Sequence, residues 1–87
     1  MVRYRVLFKR SVGKDLRDIP KKDVQRILKR IKSLADEPRP HGCEKLTDQD
    51  QERYRIRQSS YRILYEIQDE ALVVVIVKVA KRGEAYG

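Results

Sequence analysis

The sequence predicts an α+β domain in the order β-α-α-β-β-β, and three patterns carry that prediction. Val2, Tyr4, Val6 and Phe8 alternate with Arg3, Arg5, Leu7 and Lys9, the period of a half-buried strand. Val24, Ile27, Leu28, Ile31 and Leu34 recur at helical spacings and form one apolar stripe. From Arg53 onward, strand-like runs are separated by short polar reversals, as in an antiparallel meander.

Taken in order, the first strand covers residues 2–8. Ser11 is placed to cap a short helix that sets Val12, Leu16 and Ile19 on one side; Gly13 weakens that helix and Pro20 interrupts it. The second helix covers residues 21–35. Lys22, Arg26, Lys29, Arg30 and Lys32 lie on its far side, which reads more simply as solvated surface than as a ridge that follows phosphates. Pro38, Pro40 and Gly42 force a surface loop over residues 36–43. Lys45, Leu46 and Thr47 suit a brief strand, and residues 48–51 a polar turn.

The meander then runs through residues 53–58, 61–68 and 71–79, reversing at Ser59-Ser60 and at Asp69-Glu70. Its last run is apolar at almost every position, which predicts a central strand covered on both faces or nearly so. Two N-terminal helices packed on one face of an antiparallel sheet complete the expected architecture. The charged members of the strands are left for the other face.

A chain of 87 residues encloses one modest core, so residues 1–87 are expected to form a single domain. Charged residues are 39% of the chain, yet the apolar residues are periodic, which argues for a folded domain with a charged surface rather than disorder. Lys and Arg outnumber Asp and Glu by 21 to 13, a net charge of +8. Such an excess attracts phosphate backbones, acidic protein segments or anionic lipid, and composition does not choose among them.

Cys43 is the single cysteine, which excludes an intrachain disulfide and a thiolate zinc cage and fits a reducing compartment. Arg3, Arg5, Lys9 and Arg10 break any signal-like apolar run, and residues 71–77 are too short to span a bilayer. A cytoplasmic protein with no membrane association is expected. His41, alone in its loop, reads as structurally silent. No carboxylate or histidine cluster suggests a metal and no glycine-rich loop a nucleotide, so no cofactor is expected.

The informative constellation is the strand at residues 53–58. Alternation turns Tyr54 and Ile56 toward the core and gathers Arg53, Arg55 and Arg57 on the opposite face. Cations so close together hinder folding unless an anion compensates them. The plainer account is a charged strand that resists edge-to-edge aggregation. Arg62 follows across the Ser59-Ser60 turn and is expected to join that face, its direction depending on the hairpin register. Lys81, Arg82 and Tyr86 come just after the apolar strand, where a sheet fixes the position of reactive groups.

Two stretches resemble the RelE branch of the RelE/ParE toxin superfamily. Tyr54-Arg55-Ile56-Arg57, followed by Tyr61-Arg62-Ile63-Leu64-Tyr65-Glu66-Ile67, is similar to that family's central hairpin. Val79-Ala80-Lys81-Arg82 with the later Tyr86 is similar to its closing motif. The resemblance implies a toxin of a type II toxin–antitoxin system, a metal-independent endoribonuclease that cuts messenger RNA in the ribosomal A site. It implies Arg57, Arg62, Arg82 and Tyr86 as catalytic residues and Arg53, Arg55 and Lys81 as RNA-binding ones. It also implies an acidic RelB-like antitoxin as partner, beside the ribosome and its message.

The residue types suit that reaction, because fixed guanidinium groups stabilise the charge that gathers on a pentavalent phosphate. Tyr86 suits stacking on a base or a hydrogen bond to the phosphate. The chain departs from the family at Arg57, where relatives frequently carry lysine, and at Lys81, where they often carry histidine. Guanidinium holds its proton too firmly to act as a base, so Arg57 is expected to align the 2′-hydroxyl. Glu66 and Glu84 are the carboxylates considered for the base, Glu66 being more simply a charge partner of a nearby arginine. A ParE-like inhibitor of DNA gyrase, or a noncatalytic RNA- or antitoxin-binding module, are the alternatives.

Overall fold

The computed structural model describes residues 3–46 and 52–81 of the chain. Its elements are β1 (Arg5–Phe8), α1 (Arg10–Arg17), α2 (Lys21–Ser33), β2 (Glu44–Leu46), β3 (Arg53–Gln58), β4 (Tyr61–Gln68) and β5 (Val73–Lys81). The strands make one sheet in the order β1-β5-β4-β3-β2. This is the expected α+β order, with the brief strand realised as β2.

The core forms where strand alternation meets the helix stripe. Tyr54 and Ile56 of β3, Tyr61, Ile63, Tyr65 and Ile67 of β4, and Val74, Ile76 and Val79 of β5 are buried together with Val12, Ile27, Ile31 and Leu34. Each buried side chain of this size contributes roughly 1.5–3 kcal/mol. A slip of one residue would turn a whole set to water, so this face dictates the register. The tyrosines keep their hydroxyls satisfied at its edges: Tyr61 donates to Asp23 (2.9 Å) and Tyr65 to the Pro38 carbonyl (2.7 Å).

Several expectations need correction. Ser11 does not cap α1; Lys9 is the N-cap residue and no side chain caps the helix. The Lys9 amide donates to the Ile76 carbonyl (3.0 Å), so the chain turns from strand pairing straight into the helix. Pro20 interrupts α1 and also opens α2, its carbonyl accepting from the Asp23 and Val24 amides. Leu28, placed in the apolar stripe by its spacing, is 39% exposed because the sheet ends at β1 and none of the described residues lies beyond to cover it.

The sheet is not wholly antiparallel. β1 runs parallel to β5, with Arg5 opposite Val73 and Phe8 opposite Ile76. The meander starts at the far edge and works back, and its last strand arrives beside the first pointing the same way. β1 is also shorter than residues 2–8: the Tyr4 amide leaves the ladder and donates to the Ala35 carbonyl (2.8 Å), while Val2 lies outside the described residues. β5 starts at Val73 rather than residue 71, because Leu72 takes a left-handed conformation (φ 55°) and its amide closes a turn onto the Asp69 carbonyl.

A bulge in β5 decides which side chains reach which face. Leu64 stands opposite Lys78 but Tyr65 stands opposite Ile76, so Val77 is the extra residue. The alternation therefore shifts by one, which returns Val79 to the core and sets Ala80 opposite Arg62 and Lys81 opposite Tyr61. Past Phe8 no described strand lies on the outer edge of β5, and Asp15 of α1 accepts from the Val79 amide there (3.2 Å) and lies 3.6 Å from the Lys78 ammonium.

At the other end of the sheet, the loop after α2 is tied down by Arg39. Its guanidinium bonds Asp69 and Glu52 at 2.8 Å each and sits 5.3 Å from the centre of the Tyr54 ring. Tyr4 donates its hydroxyl to the same Asp69 (2.7 Å). Arg39 thus links the segment before β1, the loop, the start of β3 and the β4–β5 turn. Gly42 (φ 93°) supplies the left-handed residue that brings this loop into β2.

Candidate functional site

Alternation along β3 does what the sequence predicts. Tyr54 and Ile56 are buried, and Arg53, Arg55 and Arg57 point to the face that the helices leave open. The β3–β4 register places Arg57 opposite Arg62, and residues paired in this way share a face. Arg62 therefore joins the cationic row, and the question its hairpin register left open is answered. Ala80, the next residue across, is small, so the surface beside Arg62 is not filled by a bulky neighbour.

Charge along this face is graded. Arg53 donates to the Glu66 carboxylate (2.8 Å), which is the charge-partner role expected for Glu66. Arg55 donates to Glu44 (2.5 Å), directly opposite it in the β2–β3 register. Among the described residues Arg57 makes no ion pair and is exposed. Toward the β3–β4 turn, Arg57 and Arg62 face each other across the ladder.

Glu44 escaped the sequence reading, which weighed only Glu66 and Glu84. Arg55, then Arg57 and Arg62 at longer range, hold its carboxyl below the usual carboxylate range. Its signal in the sequence was faint, since only the pairing of a three-residue strand brings it to the arginines.

Lys81 is placed differently from the arginines. It stands opposite Tyr61, whose side chain is on the helix side, and it lines a cleft of about 690 Å³ with Asp15, Asp18, Asp23 and Lys78. Arg82, Glu84 and Tyr86 lie outside the described residues. Among the described residues no group of acidic, histidine or cysteine side chains is arranged to hold a metal ion, and no helix is long and apolar enough to cross a membrane.

One open face of paired arginines on a sheet backed by helices marks the chain as a small basic α+β protein. The chain belongs to the ParE toxin family of type II toxin–antitoxin systems, whose family model matches residues 6–86. It is similar to a RelE-like toxin protein of Escherichia coli, 28% identical over 81 residues that cover 93% of this chain and 85% of that protein. Among solved structures, the RelE–RelB complex of the archaeon Pyrococcus horikoshii matches with a TM-score of 0.83 and 34% identity, covering 98% of this chain and 100% of that one. The toxin–antitoxin complex RelBE2 of Mycobacterium tuberculosis matches with a TM-score of 0.83 and 29% identity over 97% of each chain. A RelE-like fold and a toxin of the RelE/ParE superfamily, as the two sequence motifs implied, are therefore established.

Proposed function

We propose that this toxin is a metal-independent endoribonuclease that cuts messenger RNA in the ribosomal A site and so halts translation in the cytoplasm. The observation that carries the reading is the Arg57–Arg62 pair, two arginines at opposite positions of the β3–β4 ladder on an open sheet face. Like charges so placed cost stability, and a bound phosphate removes that cost.

In the proposed reaction the 2′-oxygen attacks the adjacent phosphorus. The O2′–P bond forms as the P–O5′ bond breaks, the 2′-hydroxyl loses its proton and the departing 5′-oxygen gains one. A cyclic phosphate and a free 5′-hydroxyl result. Negative charge peaks on the non-bridging oxygens midway, where preorganised cations act most strongly. Arg62 stabilises that charge, Arg57 aligns the 2′-hydroxyl, and Arg55 and Arg53 guide the backbone. Arg82 is assigned to the same phosphate and Tyr86 to a base of the message, both from the family's closing motif. Lys81, at the cleft edge, would contact the strand only where it leaves that face.

The relatives crystallised with RelB support a second part of the reading, a cognate antitoxin that silences this chain. An acidic segment over the arginine face would complement its charge.

The test is translation of a defined message on purified ribosomes, with cuts mapped by primer extension. Codon-phased cuts are expected, and Arg62→Ala and Arg82→Ala each lower the cutting rate by about a hundredfold or more while the proteins stay folded. Uncut messages together with inhibited gyrase supercoiling would favour a ParE-like activity instead. Ribosome binding without cuts would favour a noncatalytic module.

A further inference from the structure

On a face that collects arginines, a carboxylate besides Glu66 stands directly beside the row. Glu44 opens β2, opposite Arg55, and accepts a hydrogen bond from the Arg55 guanidinium at 2.5 Å. The Arg55 side chain keeps 18% of its exposure and that of Glu44 51%, so the arginine lies down on the sheet and the carboxylate holds its outer end. Arg57 and Arg62 are near enough to act on the same carboxyl, so this negative charge sits within the field of all three cations.

For binding RNA alone, that placement is counterproductive, because a carboxylate repels the phosphates that the arginines attract. Exposed ion pairs also add little to stability. What such a pair does supply is geometry: the carboxylate fixes where the Nη2 end of the guanidinium lies.

We propose that Glu44 is a positioning residue of the cutting site, fixing the Arg55 guanidinium on the arginine face and giving up affinity for the RNA backbone in return for a defined arrangement of cations. This rests on the nuclease reading above. It differs from a structural role, because the two effects of removing the carboxylate have opposite signs. Affinity should rise while turnover falls.

The experiment compares wild type with Glu44→Gln, Glu44→Asp, Arg55→Ala and the Glu44→Gln/Arg55→Ala double variant. Three quantities are measured: affinity for a short single-stranded RNA, single-turnover cutting of a defined message on ribosomes, and the order of the Arg55 Nε–H group by NMR. Glu44→Gln is expected to bind RNA severalfold tighter, to cut about tenfold or more slowly, and to loosen Arg55. Glu44→Asp recovers part of the rate. In the Arg55→Ala background, Glu44→Gln removes nothing further, since the residue it positions is gone. Cutting by Glu44→Gln at the wild-type rate or faster overturns the proposal, as does a loss that is fully additive with Arg55→Ala. If wild type itself leaves every message intact, the nuclease reading fails on its own. The NMR measurement then decides the positioning claim, and an Arg55 equally ordered in Glu44→Gln overturns it.

Discussion

At Arg57 and Arg62, folding and function make opposite demands. The two cations face each other in the ladder, and like charges in that position destabilise a sheet by roughly 0.2–1 kcal/mol. Arg57→Gln is therefore expected to raise stability by about that amount in urea denaturation while lowering the cutting rate. Leu72 shows the reverse case, a local cost with no link to the arginine face. Its left-handed backbone (φ 55°) is disfavoured by the Cβ, and its side chain is 41% exposed, so little packing is lost on truncation. Leu72→Gly should stabilise the fold by about 0.5 kcal/mol, the steric relief exceeding the entropy cost of glycine. Thermal melts would register both changes. The arginine face was legible in the sequence because period-two alternation in β3 leaves no choice of side. Glu44 was not, because its meaning comes from a partner strand that is short and separated in sequence.

At the scale of elements, β5 carries the largest gap between sequence and structure. Its run of valines and isoleucine is apolar at nearly every position, so no period marks where alternation slips. Only pairing with β4 reveals Val77 as the extra residue. Deleting it would leave Ile76 opposite Tyr65, Lys78 opposite Leu64 and Val79 opposite Ile63 in a regular ladder, with Val79 still facing the core. Deletion of Val77 is therefore expected to keep the core set and to cost roughly 0.5–3 kcal/mol by urea denaturation, from the local change at the bulge alone. The α2 stripe, by contrast, was readable because its spacing is unambiguous. It erred only at Leu28, whose burial needed a neighbour that the sheet does not provide. The parallel entry of β1 was hidden for a similar reason: direction within a sheet is set by the path of the whole chain.

For the molecule as a whole, charge is divided between two ends of the sheet. The arginines crowd one end, while at the other Arg39 gathers Asp69, Glu52 and the Tyr54 ring. Arg39, with the Tyr4 hydroxyl, holds the Asp69 carboxyl down at about 2, against 3.8 ordinarily. A depressed carboxyl contributes stability that is fully present above its unfolded value and is lost as pH falls through the folded one. The clamp should therefore weaken between about pH 4 and pH 2, and melting temperature should drop across that window. Asp69→Asn is expected to start from a lower melting temperature at neutral pH and to lose less across the same acid range. None of this was visible in a loop that the sequence marked only by its prolines and glycine. Arg39 acquires its role from residues on three other segments.

The neighbour of β1 is β5, at the far end of the sequence, and no other described strand pairs with it. Chain made early must consequently wait, with its apolar residues uncovered, until the final strand has been synthesised. Most of the sheet's hydrogen bonding joins near neighbours, but this last seam does not. Closure is thus a late step in folding, set by when β5 is made rather than by local pairing.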